Sequence, residues 1–302
     1  MKLWIVTNKY LRTRKFAELE EKFMSACKKR GLEFELVFND GGLVTTFKDD
    51  ICTGKIKNDG NPVLFWDKDI LLAKALEKSG HRVFNSSDAI KICDSKCETA
   101  LALAGVGINT PETIISPMTY TNIGYTDFDF LRESIDILGL PLIIKEEFGS
   151  FGAQVYKAAT YSEALSICKN IKGRFILQKA VTSSFGRDVR IQVVGDKCIS
   201  AMLRYSDTDF RANITNGGKM VPFTPDKAWK EAAIKTSKAL KLDFAGVDLL
   251  FGKDDKPYIC EINSNAHFKN IDDCTGSDVA LEIIDYILCE MNICDEVHDD
   301  LQ

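Results

Sequence analysis

Residues 243–263 read DFAGVDLLFGKDDKPYICEIN, and this stretch decides the fold. Two β-rich runs, 243–251 and 257–263, flank a connector of Gly, Lys, Asp and Pro, the composition of a hairpin turn. Pairing Phe251 with Tyr258 places Asp248 directly opposite Glu261. Side chains two apart share one face of a strand, so Asn263 joins Glu261 there. Directly opposed β-carbons lie only ~5 Å apart, and like charges so placed repel. Two carboxylates and an amide oxygen on one face therefore predict a cation between them, with Asp248, Glu261 and Asn263 as its ligands. Oxygen-only donors suit Mg2+ or Mn2+, and Mg2+ combines one or two carboxylates with substrate phosphates. The alternative is a different register, with one carboxylate facing solvent.

Upstream, GRDVRIQVVGDKCISAMLRY (186–205) reads as a second hairpin turning at Gly195-Asp196. Asp188 and Arg190 then share a face. A two-residue turn sends Arg204 to the other face, so a role shared with Arg190 requires a bulge. The following SDTDFRANITNGG (206–218) offers Arg211 and Asn213 in a loop that is either flexible surface or a polar lid. Further back, PLIIKEEFGSFGAQVYKA (141–158) is a short buried strand ending in Lys145 and a return strand. The tip between them, Gly149, Ser150, Phe151 and Gly152, can bring backbone N–H groups close to phosphate oxygens. It lacks G-K-[ST] and is no P-loop. Taken alone, the tip is also an ordinary hairpin turn, and Lys145 an ordinary surface lysine.

The first 92 residues have a different texture. LWIVTN, an amphipathic stretch from about 13 to 29, FELVF, VLFW, the helix of DILLAKALEKSG and HRVFN alternate strand with helix, which predicts a small parallel sheet. No G-x-G-x-x-G follows the first strand. SSDAIKICDSKCETALALAGVG (86–107) reads as capped helical segments. Helices are expected at about 128–138, 161–170 and 226–240, with a final helix after a polar loop at 264–273.

The net charge of −5 argues against a nucleic-acid partner. No run approaches the ~20 apolar residues of a membrane span, and the N-terminus lacks a signal-peptide pattern. The ten cysteines include no Cys-x-x-Cys pair, so reduced thiols and a cytoplasmic location are expected.

In order and type, DSKCETALALAGVGINTPET, PLIIKEEFGSFGAQVY, RFILQKAV, GRDVRIQVVGD, DFRANITNGG, DFAGVDLLF and EINSN resemble the ATP-grasp ligases, and within them the RimK-like glutamate-ligase branch. The resemblance covers about residues 85–285. It implies an α/β ATP-grasp fold with an N-terminal pre-ATP-grasp domain at 1–92, a central lobe at 93–180 and a C-terminal lobe at 181–302. It implies ATP bound by Lys96, Lys145 and the tip Gly149–Gly152, by an adenine hinge at Gln178, Lys179, Ala180 and Val181, and by Asp188 at the ribose. Arg190, Arg204, Arg211 and Asn213 are implied as phosphate and acyl-phosphate contacts, and Asp248, Glu261 and Asn263 as ligands of Mg2+ or Mn2+, two ions in the family. The hinge has Lys179 where the family commonly has glutamate. SNAHFKNIDDCTG stands where the glutamate-ligase pattern has a proline-glycine turn.

The implied reaction joins a carboxylate acceptor to an amino-acid amine through an acyl phosphate. Other branches, of D-alanine–D-alanine or lysine-biosynthetic type, and a non-catalytic nucleotide-binding protein are the alternatives. Acceptor identity, whether small molecule or protein tail, and homo-oligomer formation stay open. His267, Lys269 and Asn270, just past the metal ligands, are expected to help choose the acceptor.

Overall fold

The computed structural model describes residues 1–11, 13–41, 45–47, 51–120, 122–149, 152–214 and 217–292. The chain opens with β1 (Lys2–Asn8), α1 (Arg14–Lys29), β2 (Glu33–Asn39), a short hairpin β3 (Thr45–Phe47) and β4 (Ile51–Thr53), then β5 (Val63–Trp66), α2 (Ile70–Lys78) and β6 (Val83–Phe84). β1 pairs parallel with β2 and β5, and β5 with β6, giving the order β2-β1-β5-β6. The parallel arrangement matches the alternating pattern, and the apolar run of β1 is buried continuously because helices cover a parallel sheet on both faces. On α1, Leu19, Phe23, Ala26 and Cys27 recur at helical spacing and form the buried stripe. The β3–β4 hairpin was not expected.

Next come α3 (Ser87–Asp94) and α4 (Lys96–Leu103), each started by a serine hydroxyl that accepts a backbone N–H: Ser86 from Ala89, and Ser95 from Glu98. A second sheet, order β7-β10-β8-β9, is built from β7 (Thr113–Ile115), β8 (Leu142–Glu146), β9 (Val155–Ala158) and β10 (Phe175–Lys179). Against it lie α5 (Asp129–Leu138) and α6 (Tyr161–Asn170). The third sheet has the order β13-β12-β11-β14-β15, from β11 (Arg187–Val194), β12 (Lys197–Tyr205), β13 (Lys219–Pro222), β14 (Phe244–Phe251) and β15 (Pro257–Asn263). The helices α7 (Lys227–Ala239), α8 (Lys269–Thr275) and α9 (Val279–Glu290) pack around it.

The first and third sheets share a core. Leu3, Ile5 and Leu64 pack in one cluster with Val194, Met202, Phe244 and the α9 residues Ile283 and Ile287. The second sheet keeps its own, around Leu131, Leu142, Ile144, Phe175 and Leu177.

Two register shifts correct the sequence reading. Phe251 pairs with Pro257 rather than Tyr258, and Leu249 with Ile259, yet Asp248 still faces Glu261. A bulge makes up the difference: Cys260 is the extra residue, so the pairing from Asp248 inward is as expected while the outer end is displaced by one. In the other hairpin Val194 faces Lys197 across the Gly195-Asp196 turn, but Gln192 faces Ser200. Here Ile199 is extra, and Arg204 comes to lie opposite Asp188. The polar loop at 264–273 is also corrected. Ala266, Phe268 and Ile271 are buried, Phe268 packs edge-on to Phe23 and Trp66, and α8 begins at Lys269.

All described cysteine side chains are free thiols. Burial pushes Cys27, Cys93 and Cys168 up to about 12 and Cys97 to about 11. Titration with a thiol-reactive disulfide reagent is expected to leave these four unmodified until the chain is unfolded, since the thiolate is the reactive species. Prompt reaction of all ten in the native protein would contradict this packing.

Candidate active site

The two bulges line up three adjacent rungs across the third sheet. Gln192, Gly246 and Asn263 form one, Arg190, Asp248 and Glu261 the next, and Asp188 with Arg204 the third. Because the rungs are two residues apart along each strand, all these side chains belong to one face. Gly246 has a steric reason: a β-carbon there would lie 2.4 Å from that of Ala266, where the chain folds back after Asn263.

Asp248, only 4% exposed, is gripped from two sides. Its carboxylate accepts from Arg190 Nε and Nη2 at 2.7 Å each, and Arg204 Nη2 lies 3.0 Å away. Arg204 Nε donates in turn to Asp188 at 2.6 Å. Burial pushes the Asp248 carboxyl up, but the two guanidiniums outweigh it and hold the group down to about 2. The side chains of Glu261, across the rung, and Asn263, on the next one, line a cavity and make no hydrogen bond or ion pair with any described residue. Their free oxygens and the opposed Asp248 form a hard, oxygen-only donor set, which fits Mg2+ or Mn2+. Asp248 would have to exchange an arginine contact for the ion. Among the described residues no group of three His, Cys, Asp or Glu forms a metal cluster, so an ion here needs the Asn263 amide and phosphate oxygens.

Lys145 reaches the same place from the second sheet. It is 6% exposed, and among the described residues its Nζ has only the Cys260 carbonyl at 3.4 Å and the Cys260 thiol at 3.6 Å. It is no surface lysine. A buried ammonium with two long contacts is under-solvated, and an anion would complete its shell. Lys96, the first residue of α4, donates from Nζ to the Gly149 carbonyl at 3.1 Å, while the Ser95 hydroxyl donates to Glu147 at 2.7 Å. The stem of the glycine tip is thereby tied to the start of α4. Ser150 and Phe151 fall outside the described residues. At Gly152, φ is +72° and a β-carbon would meet Asn213 Oδ1 at 2.9 Å, so glycine is required. Arg211 donates from Nη1 to the Gly152 carbonyl at 2.7 Å and pairs with Asp209. The loop carrying Arg211 and Asn213 thus meets Gly152.

Two adjoining cavities result. The larger, about 300 Å³, holds Lys96, Lys145, Gly149, Glu261 and Asn263 on its walls. The smaller, about 90 Å³, is bounded by Gln178, Lys179, Val181, Asp188, Arg204 and Arg211. Lys145, Gln178, Cys260 and Glu261 face both. Ala180 joins Lys179 to Val181 without lining either cavity. Gln178 donates to the Thr113 hydroxyl at 2.9 Å, and Lys179 pairs with Glu112 at 2.9 Å. The residue that departs from the family's glutamate is therefore neutralised by a glutamate in the adjacent segment. Ile143 and Leu250, from opposite sheets, line the smaller cavity and were not singled out by sequence. Both sit in apolar strand runs that look the same whether they face a core or a flat ring.

The residues expected to choose the acceptor lie elsewhere. His267 Nε2 donates to the Lys15 carbonyl at 3.1 Å, and burial holds its imidazole below the usual range. Lys269 pairs with Asp273 one turn along α8. Of the 264–273 segment, only Ser264 lines the larger cavity.

The RimK-like ATP-grasp domain model matches residues 93–287. The chain belongs to the RimK-like ATP-grasp family. Human N-acetylaspartylglutamate synthase A is 34% identical over 225 residues, which are 74% of this chain and 56% of that one. A probable alpha-L-glutamate ligase of Picosynechococcus is 33% identical over 222 residues, 72% of this chain and 70% of that one. The fold is shared with the D-alanine–D-alanine ligase of Bacillus anthracis, solved with ATP, at a TM-score of 0.72 and 18% identity over 98% of this chain and 99% of that one. The family is one of carbon–nitrogen ligases. Among the described residues no helix is long and apolar enough to cross a membrane.

Proposed function

We propose that this ATP-grasp ligase joins an amino acid, glutamate in the first instance, to a carboxylate acceptor through an acyl phosphate. The observation that carries the reading is the pair of side-chain oxygens of Glu261 and Asn263 without a described partner, lining one cavity with under-solvated Lys145. A carboxylate with no side-chain partner and an ammonium with two long contacts, lining one cavity, are completed by a cation and a polyphosphate. Glutamate is favoured because the names of both sequence relatives place it in their activity.

The smaller cavity would take the adenosine, with Ile143 and Leu250 on either side of the base and Asp188 at the ribose. Lys96, Lys145 and the glycine tip would hold the phosphates as point charges and backbone donors. Asp248, Glu261 and Asn263 would hold Mg2+ or Mn2+, which when bound neutralises charge on the transferred phosphoryl group. The acceptor carboxylate oxygen attacks the γ-phosphorus and ADP leaves. The neutral amine then attacks the acyl carbon, phosphate departs with the C–O electron pair, and one N–H proton passes to water. Arg211, on the wall of the smaller cavity, and Arg190, which lines neither cavity, would take the phosphoryl oxygens by giving up their present partners, Asp209 and the Gly152 carbonyl for Arg211 and Asp248 for Arg190. The lid at Arg211–Asn213 would shield the acyl phosphate from hydrolysis. The separate core of the second sheet allows that lobe to move against the other two.

ADP formation that requires both an acceptor and glutamate, with the product mass determined, tests the reading. ATP binding with no turnover under any acceptor and amine would favour a non-catalytic nucleotide-binding protein. A product containing D-alanine instead of glutamate would move the chain's activity to another branch.

Lys145→Met is expected to weaken ATP binding about 10- to 100-fold, the weight of a lost charge-assisted contact of roughly 1.5–3 kcal/mol. The thermal midpoint should hold or rise, since an under-solvated buried charge is removed. Lys96→Met should act in the same direction, and less, because Lys96 already has the Gly149 carbonyl. Unchanged affinity in both variants, by calorimetry, would remove the phosphate assignment.

A further inference from the structure

A third lysine, supplied by the first sheet, stands at the metal end of the larger cavity. Lys68 lies two residues past the end of β5 and lines the cavity with Glu261, Asn263, Lys96 and Lys145. Its backbone is held on a rigid pedestal at the carboxyl ends of three parallel strands. The buried Asp67 carboxylate accepts from Asn8 Nδ2 at 3.2 Å, from Asn39 Nδ2 at 3.0 Å and from the Lys68 N–H at 2.7 Å. The Asp67 carbonyl accepts from Asn265 Nδ2 at 2.7 Å. That last bond ties the residue before Lys68 to the segment just beyond the proposed metal ligand Asn263. Asn8 ends β1 and Asn39 ends β2, with β1 lying between β2 and β5. The crevice outside the carboxyl ends of such strands, where the strand order reverses, is where open parallel sheets place ligands.

The ammonium itself is loosely spent. Lys68 Nζ pairs with Asp94, at 44% and 25% side-chain exposure. A pair so exposed contributes little, so exchanging Asp94 for a ligand anion costs little. Lys145, by contrast, is buried beside the phosphate path. We infer that Lys68 holds a second carboxylate on the acceptor, and so selects acceptors bearing an anionic group beyond the one that reacts. The inference rests on the ligase reading, because it takes the acceptor to sit beside the metal ligands. It adds to that reading the acceptor's class and the residue that reads it.

The test compares binding of succinate, glutarate, citrate and N-acetylaspartate with that of their monoamides, by calorimetry, with and without Mg2+ and a non-hydrolysable ATP analogue. At least one acid is expected to bind about tenfold tighter than its monoamide. Lys68→Met should erase that preference and leave the ATP analogue's affinity unchanged. Lys68→Arg should restore part of it, and Asp94→Asn should keep or increase it. The inference is overturned if the parent shows no acid preference, if Lys68→Met retains it, or if Lys68→Met weakens the nucleotide instead, which would make Lys68 a phosphate contact. A parent chain that binds no ATP analogue sinks the ligase reading, and the arm without nucleotide still reads Lys68.

Discussion

Glu261→Gln is expected to lower turnover by about two to four orders of magnitude while the thermal midpoint moves by less than about 2 °C. The two halves of this result have separate causes. A metal ion stabilises transferred charge by several kcal/mol, and each ~1.4 kcal/mol lost from that stabilisation is a tenfold loss of rate. The amide that replaces the carboxylate keeps the shape but not the charge that holds a hard cation beside polyphosphate. Stability should hold because the Glu261 side chain makes no ion pair or hydrogen bond with a described residue, so no protein partner is orphaned. Excess Mg2+ or Mn2+ should recover part of the rate, and EDTA should abolish what remains. Full activity in the variant, or turnover indifferent to EDTA, would show that this rung is not the metal site.

The rung itself was legible in sequence, though for a partly wrong reason. The spacing of Asp248 and Glu261 gives the right partners only because the bulge at Cys260 compensates for an end register that is off by one. Bulges leave no reliable mark in a single sequence, since they are set by how twisted strands must bend to bring a site together. The same holds for Arg204: strict alternation sends it away from Arg190, and the extra residue Ile199 brings it back. The parallel first sheet was readable because the runs around Leu3–Val6, Val63–Trp66 and the α1 stripe have unmistakable periods. The 264–273 segment was not, because its letters are mostly polar. The few apolar ones, Ala266, Phe268 and Ile271, anchor it, and Phe268 and Ile271 fill the core shared by the first and third sheets. Lys68 was passed over because FWDKD looks like any strand end. Only the fold shows that this end meets the segment that follows β15 of another sheet.

Asp248→Ala is expected to behave in the opposite way to Glu261→Gln at the level of the fold, although the two residues face each other on one rung. Asp248 carries two guanidiniums: Arg190 at 2.7 Å through two bonds, and Arg204 at 3.0 Å. Arg204 is 3% exposed and retains only Asp188 when Asp248 is removed, and Arg190 loses its bidentate partner. Breaking a buried ion pair by deleting one member costs about 3–5 kcal/mol, because the remaining charge stays desolvated. At roughly 2–4 °C per kcal/mol for a chain of this size class, the midpoint should fall by about 6–20 °C. Activity should vanish as well, so the informative measurement is the unfolding midpoint, set beside that of Asp248→Ala combined with Arg190→Met. The double variant removes one orphaned charge and should recover part of the loss, which a general packing defect would not. If Asp248→Ala unfolds at the parent's midpoint, the arginine pairs are not what holds this face together. Asp248 would then be free to serve the metal without first giving up a structural partner.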